Sequence, residues 1–248
     1  MTDKTSLQRT GVGMVWLDLD DTLYDFKLNS HEALAEIYDT FHLDRYWADV
    51  DSWRDDYHKV NNRLWELYAP GLISRDYLRT ERFCQPLTNV GVSTEEALAM
   101  SGALDEAYLA SLGRRSATVP GAIELLSRLK KAGYRLGVLS NGFKEVQYGK
   151  MTSAGIIPYI DVVVLSDEID VNKPNPRIYR YAEHKAGVSP DECIMIGDNP
   201  DTDIRGAVDA GWRAIYFNQS AIHADFPLSV IQVASLDDIS PDILEDRL

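Results

Sequence analysis

Cysteine is scarce in this chain, with Cys84 and Cys193 the only two in 248 residues. Two thiols cannot staple a fold of this size, and both are expected as buried free cysteines, one in a helix and one in a strand. Long apolar runs are missing as well. No stretch approaches the roughly 18 apolar residues of a membrane span, and Met1 to Gly13 lacks the apolar centre of a secretory leader. A cytoplasmic location and no membrane partner are the expectations. Positive charge is also short: 25 Lys and Arg stand against 39 Asp and Glu, a formal net charge of -14. That balance argues against a nucleic-acid partner, whose phosphates need clustered cations. The histidines, His31, His42, His58, His184 and His223, are scattered without ligand-like spacing, so none is assigned to a metal. With 45% hydrophobic residues the chain has an ordinary globular composition and room for one core plus an insertion.

What is present begins with Met14-Val15-Trp16-Leu17-Asp18-Leu19-Asp20-Asp21-Thr22-Leu23. An apolar segment ends in three carboxylates within four residues, the pattern of a buried strand delivering acids to a sheet edge. Asp18 and Asp20 share a parity along an extended chain and face one pocket, where their repulsion calls for a divalent cation, most naturally Mg2+. Asp21 is read as a turn residue. Further along, Arg135-Leu136-Gly137-Val138-Leu139-Ser140-Asn141 is a second strand ending in a hydroxyl and an amide. Val162-Val163-Val164-Leu165-Ser166 leads to Lys173-Pro174, and Cys193-Ile194-Met195-Ile196-Gly197-Asp198 runs on to Asp203. Each taken alone is ordinary strand-end and turn chemistry. Asp203 in particular fits the N-cap of a helix as well as a site.

Taken together, in order, these four segments resemble the signatures of the haloacid dehalogenase-like hydrolases, most of which are phosphatases. The resemblance implies an α/β fold, a Rossmann-like parallel sheet with an inserted all-helical cap domain. From Pro120 onward short helical and strand patterns alternate, as a parallel sheet requires, with Gly133, Gly155, Gly187 and Gly211 placed to terminate helices. Expected helices cover 121–132, 145–154, 176–186 and 203–210, and expected strands 135–139, 161–165, 193–196 and 213–217. Between the first strand and Pro120 only helical patterns occur, over 30–41, 51–68, 75–87 and 94–112, the last opened by a capping box of Ser93 and Glu96. The expected division is residues 1–23 and 117–248 for the catalytic core and 24–116 for the cap. The tail from Ser235 to Leu248 is expected as a final helix or a loosely docked end.

The resemblance also implies a mechanism, two-step phosphoryl transfer with Asp18 as nucleophile and Asp20 as general acid and base. Mg2+ would be held by Asp18, Asp198 and the main-chain carbonyl of Asp20. Ser140, Asn141 and Lys173 would bind the phosphate, Asn141 through its backbone N–H, with Thr22 orienting the loop and Asp203 standing beside the metal. An acid at Asp20 fits a phosphatase or mutase rather than a dehalogenase. The implied partner is a small phosphorylated metabolite, a nucleotide or a sugar phosphate. Asp20 to Phe26 with Asn29-Ser30, and Ser140 to Phe143 with Glu145-Val146-Gln147, resemble the house-cleaning pyrimidine 5′-nucleotidases, which favours a nucleoside 5′-monophosphate. A sugar-phosphate phosphatase or phosphomutase stays open, as does a non-catalytic ligand-binding or regulatory protein on the same fold. Tyr24, Phe26, Trp53, Trp65 and Tyr68 are expected mainly as helix-bundle core, and Arg63, Arg75, Arg79 and Arg82 as a solvated helix face. No oligomeric state is assigned.

Overall fold

The computed structural model describes residues 11–220, 225–227 and 229–245. His223 and the last three residues of the tail lie outside them. In chain order the elements are β1 (Met14–Leu17), α1 (Phe26–Thr40), α2 (Val50–Tyr68), α3 (Arg75–Asn89), α4 (Thr94–Arg114), α5 (Ala122–Lys131), β2 (Leu136–Ser140) and α6 (Lys144–Ser153). After these come β3 (Val162–Leu165), α7 (Pro176–Ala186), β4 (Cys193–Gly197), a π-helical turn over Pro200–Arg205, α8 (Gly206–Asp209), β5 (Arg213–Phe217), β6 (Val230–Val233) and α9 (Pro241–Glu245).

The strands form one parallel sheet in the order β3-β2-β1-β4-β5-β6. This is the Rossmann-like α/β arrangement, with an all-helical insertion after β1. Each strand is short and apolar because helices cover the sheet; β1, β2 and β4 are buried along their whole length. Strand order places β1 in the middle, between β2 and β4, so its carboxyl end opens where ligands bind in open α/β sheets. The glycines at 133, 155, 187 and 211 all take positive φ directly after their helices, as a left-handed terminator should. β6 has no counterpart in the sequence reading. Its four residues Val-Ile-Gln-Val are too few for periodicity to separate from a loop.

The chain divides into two compact units, Met1–Tyr24 with Thr118–Asn141 and Ile156–Leu248, and Asp25–Ala117 with Gly142–Gly155. The first holds the sheet. Leu236, Ile239 and Leu244 of the tail are fully buried in it, so the described part of that tail is docked. The second unit is helical and includes α6, which the alternation of elements would have left with the sheet. Its core is aromatic: Trp53, Tyr57, Phe83 and Tyr108 are buried, with ring centroids 5.1–6.2 Å apart where they meet. Ser93 caps α4 by accepting from the Glu96 N–H, which is half of the expected capping box. The Glu96 carboxylate instead accepts from the Tyr46 hydroxyl at 3.0 Å. Both cysteines are free and buried, as expected. Among the described residues no helix is long and apolar enough to cross a membrane.

Candidate active site

Register brings the four sequence segments to one edge. Leu17 of β1 lies abreast of Ile196 of β4 and Val138 of β2, and the Asp18 N–H continues the ladder by donating to the Ile196 carbonyl at 2.9 Å. Asp18 therefore leaves β1 beside the end of β4, where Gly197 hands over to Asp198. Ser140 ends β2, buried, at the same edge.

The chain then folds back on itself. Leu23 and Tyr24 both donate to the Leu19 carbonyl, and Asp21 supports the turn with a φ of 61°, a left-handed geometry that Asp tolerates better than most residues. Asp20 bridges to Tyr24 within this turn and is half-buried. Thr22 does more than shape the loop: its hydroxyl donates to Asp198 Oδ1 at 3.1 Å, fixing that carboxylate.

Lys173 is the charge at the centre. It is 2% exposed, and its Nζ donates to Asp18 Oδ1 at 2.6 Å, Asp203 Oδ1 at 2.6 Å and the Leu139 carbonyl at 2.7 Å. Burial works against its charge, but Asp18 and Asp203 outweigh burial and hold Lys173 above the usual ammonium range. The acids remain in excess. Burial first, then Asp203 and Asp198, push the Asp18 carboxyl well up against the pull of Lys173. Burial, Asp203 and Asp21 push Asp198 up to about 7.

Carboxylate oxygens of Asp18, Asp198 and Asp203 lie within 4.8 Å of one another. An all-oxygen, anionic donor set with a charge deficit of this kind fits a hard divalent cation such as magnesium. Asp203 is the least available of the three. Its Oδ1 serves Lys173, and its Oδ2 accepts the Asn199 N–H at 3.0 Å. Asn199, not Asp203, caps the turn, its side chain accepting from Asp201 and Thr202. Gly197 makes this possible, because a Cβ there would collide with the Asp203 carboxylate.

Asn141 is committed to Lys173 through its side chain. The amide donates to the Lys173 carbonyl at 3.0 Å and accepts the Lys173 N–H at 2.7 Å, the two-bond pairing of a strand neighbour. Its place directly after Ser140 was the only sequence signal for this clamp.

In the helical unit, Arg82 is not on a solvated face. It is buried and paired with Asp105, which also receives Arg79 at 2.6 Å. Arg75 pairs with Glu145 and lies over the Phe143 ring at 4.6 Å. Trp65 and Tyr68 pack on Phe143, and Trp53 is fully buried, as expected of a bundle core. Tyr24 is fully buried in the sheet unit.

A family profile described as haloacid dehalogenase-like hydrolase matches residues 14–211, from the start of β1 to just past the end of α8. The chain belongs to this family. Among curated members it is 30% identical over 215 residues to pyrimidine 5′-nucleotidase YjjG of Escherichia coli (strain K12), covering 86% of this chain and 88% of that one. It is 30% identical over 225 residues to phosphoserine phosphatase of Thermus thermophilus, covering 83% and 88%. Among solved structures, HAD-hydrolase YfnB from Bacillus subtilis bound to magnesium superposes with a TM-score of 0.80 at 23% identity, covering 92% of this chain and 96% of that one. This member of the family is accordingly a hydrolase of the α/β Rossmann-like class.

Proposed function

We propose that the protein is a magnesium-dependent phosphomonoesterase working through an aspartyl-phosphate, with nucleoside 5′-monophosphates, pyrimidine ones first, as substrates. The observation that carries the mechanism is the Lys173 Nζ held 2.6 Å from Asp18 Oδ1 within a cluster of buried acids at the sheet's carboxyl edge. A buried ion pair is a poor stabiliser, and buried acids whose pKa values are pushed up at the open edge of a sheet mark a functional site rather than a structural one.

Asp18 attacks phosphorus as the phosphorus–oxygen bond to the leaving group breaks. Asp20, two residues along, gives its proton to the leaving oxygen. A water molecule then attacks the phosphorus of phosphorylated Asp18, Asp20 takes the water's proton, and inorganic phosphate leaves with Asp18 regenerated. Ser140, the Lys173 ammonium and the backbone N–H groups of Leu19 and Asn141 hold the phosphoryl oxygens. Asp203 and the Asn141 side chain keep Lys173 in place, one at its ammonium and one at its backbone. Asp18, Asp198 and the main-chain carbonyl of Asp20 would hold magnesium, which would supply the positive charge that an anionic ester needs at so acidic a site. Dehalogenation has no use for Asp20, which favours the phosphatase.

The nucleotide preference is supported by the motif resemblance and the YjjG similarity, and the equal identity to a phosphoserine phosphatase makes other phosphate monoesters the main competitors. Phosphate release from a panel of nucleoside monophosphates and sugar phosphates, with magnesium and with EDTA, tests it. Release that needs magnesium and prefers pyrimidine monophosphates is expected. A preference for sugar phosphates would discard the nucleotide reading, phosphoryl transfer without release would mark a phosphomutase, and no reaction with any ester would discard the phosphomonoesterase.

A further inference from the structure

The segment that carries Asp203 is a π-helical turn, Pro200–Arg205, and such turns leave carbonyls out of the ordinary i to i-4 pattern. Here the Gly206 N–H donates to the carbonyls of Asp201 and Asp203, so the Thr202 carbonyl loses the partner an α-helix would give it. The Tyr179 hydroxyl donates to that carbonyl instead.

Tyr179 is well placed for such a task. It is fully buried on α7, its ring edge-on to Trp212 at 5.2 Å, with Trp212 in turn stacked on Trp16 of β1 at 5.9 Å. That packing fixes the ring independently of the hydroxyl. Glycine at 206 leaves the hydroxyl its space, since a Cβ there would collide with the Tyr179 oxygen and come within 2.8 Å of Pro174. Pro174 follows Lys173, so Lys173, the foot of Tyr179 and the π-turn meet in one place. The hydroxyl thus bonds the residue directly before Asp203, the carboxylate that holds the Lys173 ammonium.

We propose that Tyr179 is a positioning residue whose hydroxyl locks the π-turn and, through it, the Asp203 contact to Lys173. It touches neither substrate nor the reacting atoms. The catalytic part of this inference rests on the phosphatase reading; the structural part does not.

The test is Tyr179→Phe, which keeps the ring packing and removes only the donor. Hydrogen–deuterium exchange of the magnesium-free protein should rise about tenfold in residues 199–206, the size of one lost hydrogen bond, and stay unchanged in β4 and in the C-terminal half of α7. In turnover, kcat should fall about tenfold at constant KM, because the substrate's own contacts are intact. Unchanged exchange in 199–206, or exchange raised equally across β4 and α7, would overturn the proposal, the first by showing no lock and the second by showing a general packing role. Raised local exchange with unchanged kcat in an active enzyme would overturn it too. If the wild-type protein releases no phosphate from any ester, the phosphatase reading fails, and exchange alone decides whether the lock exists.

Discussion

Asp18→Asn is expected to abolish phosphate release, by roughly four orders of magnitude or more, as when the attacking group of a concerted catalytic set is removed. Asparagine keeps an oxygen that can accept from Lys173 where Asp18 Oδ1 does at 2.6 Å, but an amide cannot form the phosphorylated intermediate. The fold should survive. Burial and neighbouring acids already push the Asp18 carboxyl well up, so removing its charge relieves repulsion as much as it removes attraction. The melting temperature should stay within about 4 °C of the wild type, equivalent to about 1 kcal/mol in a chain of this size. Circular dichroism melting and a phosphate-release assay on the same preparation check both halves. Activity persisting in a clean preparation would remove Asp18 from the nucleophile's role.

Lys173→Met should be the most damaging single change to stability. The substitution keeps length and apolar bulk but leaves Asp18, Asp203 and the Leu139 carbonyl without their shared donor in a buried site. Breaking a buried ion pair from one side costs about 3–5 kcal/mol. The loss has a definite pH dependence. An acid whose pKa in the folded protein is raised contributes stability that is full below its unfolded value and lost as pH rises through its folded value. Lys173 opposes that rise for both Asp18 and Asp198, and Asp198 stands at about 7 even with Lys173 present. The variant's deficit should therefore be small at pH 5.5 and large at pH 8. Urea unfolding of both proteins in EDTA at the two pH values measures it, and equal deficits would remove Lys173 from its role as the counter-charge to these acids.

The helices were legible in the sequence because their signals are long and local. Val50–Tyr68 repeats a mostly apolar buried stripe over several turns, Thr94–Arg114 opens on the Ser93 cap with two acids in its first turn, and Pro176–Ala186 is bracketed by an N-terminal proline and a left-handed glycine. β6 was not, since its four residues carry no period. At the site, the chemistry of Asp18, Lys173 and Asp198 was legible because acids and a lysine beside buried strands are conspicuous. Their supports were not. Thr22 on Asp198, the Asn141 clamp and the Tyr179 hydroxyl on Thr202 each join residues 23 to 176 positions apart, and such pairings are set by strand order rather than by local spacing. Asp203 stood between the two cases: its spacing from Asp198 was visible, but only the π-turn decides that it faces Lys173 while Asn199 does the capping. Arg82 differs from the expected solvated face for a related reason: the partner that allows its burial, Asp105, lies on another helix, beyond the reach of local spacing.

The central claim is that phosphate passes through Asp18. Acid-quenching the enzyme during turnover of a phosphate monoester with magnesium, reducing the trapped acyl phosphate and sequencing the peptides by mass spectrometry tests it directly. The predicted result is a label on Asp18, absent without substrate and absent in Asp18→Asn. Steady phosphate release with no labelled Asp18, or with the label on another residue, would contradict it.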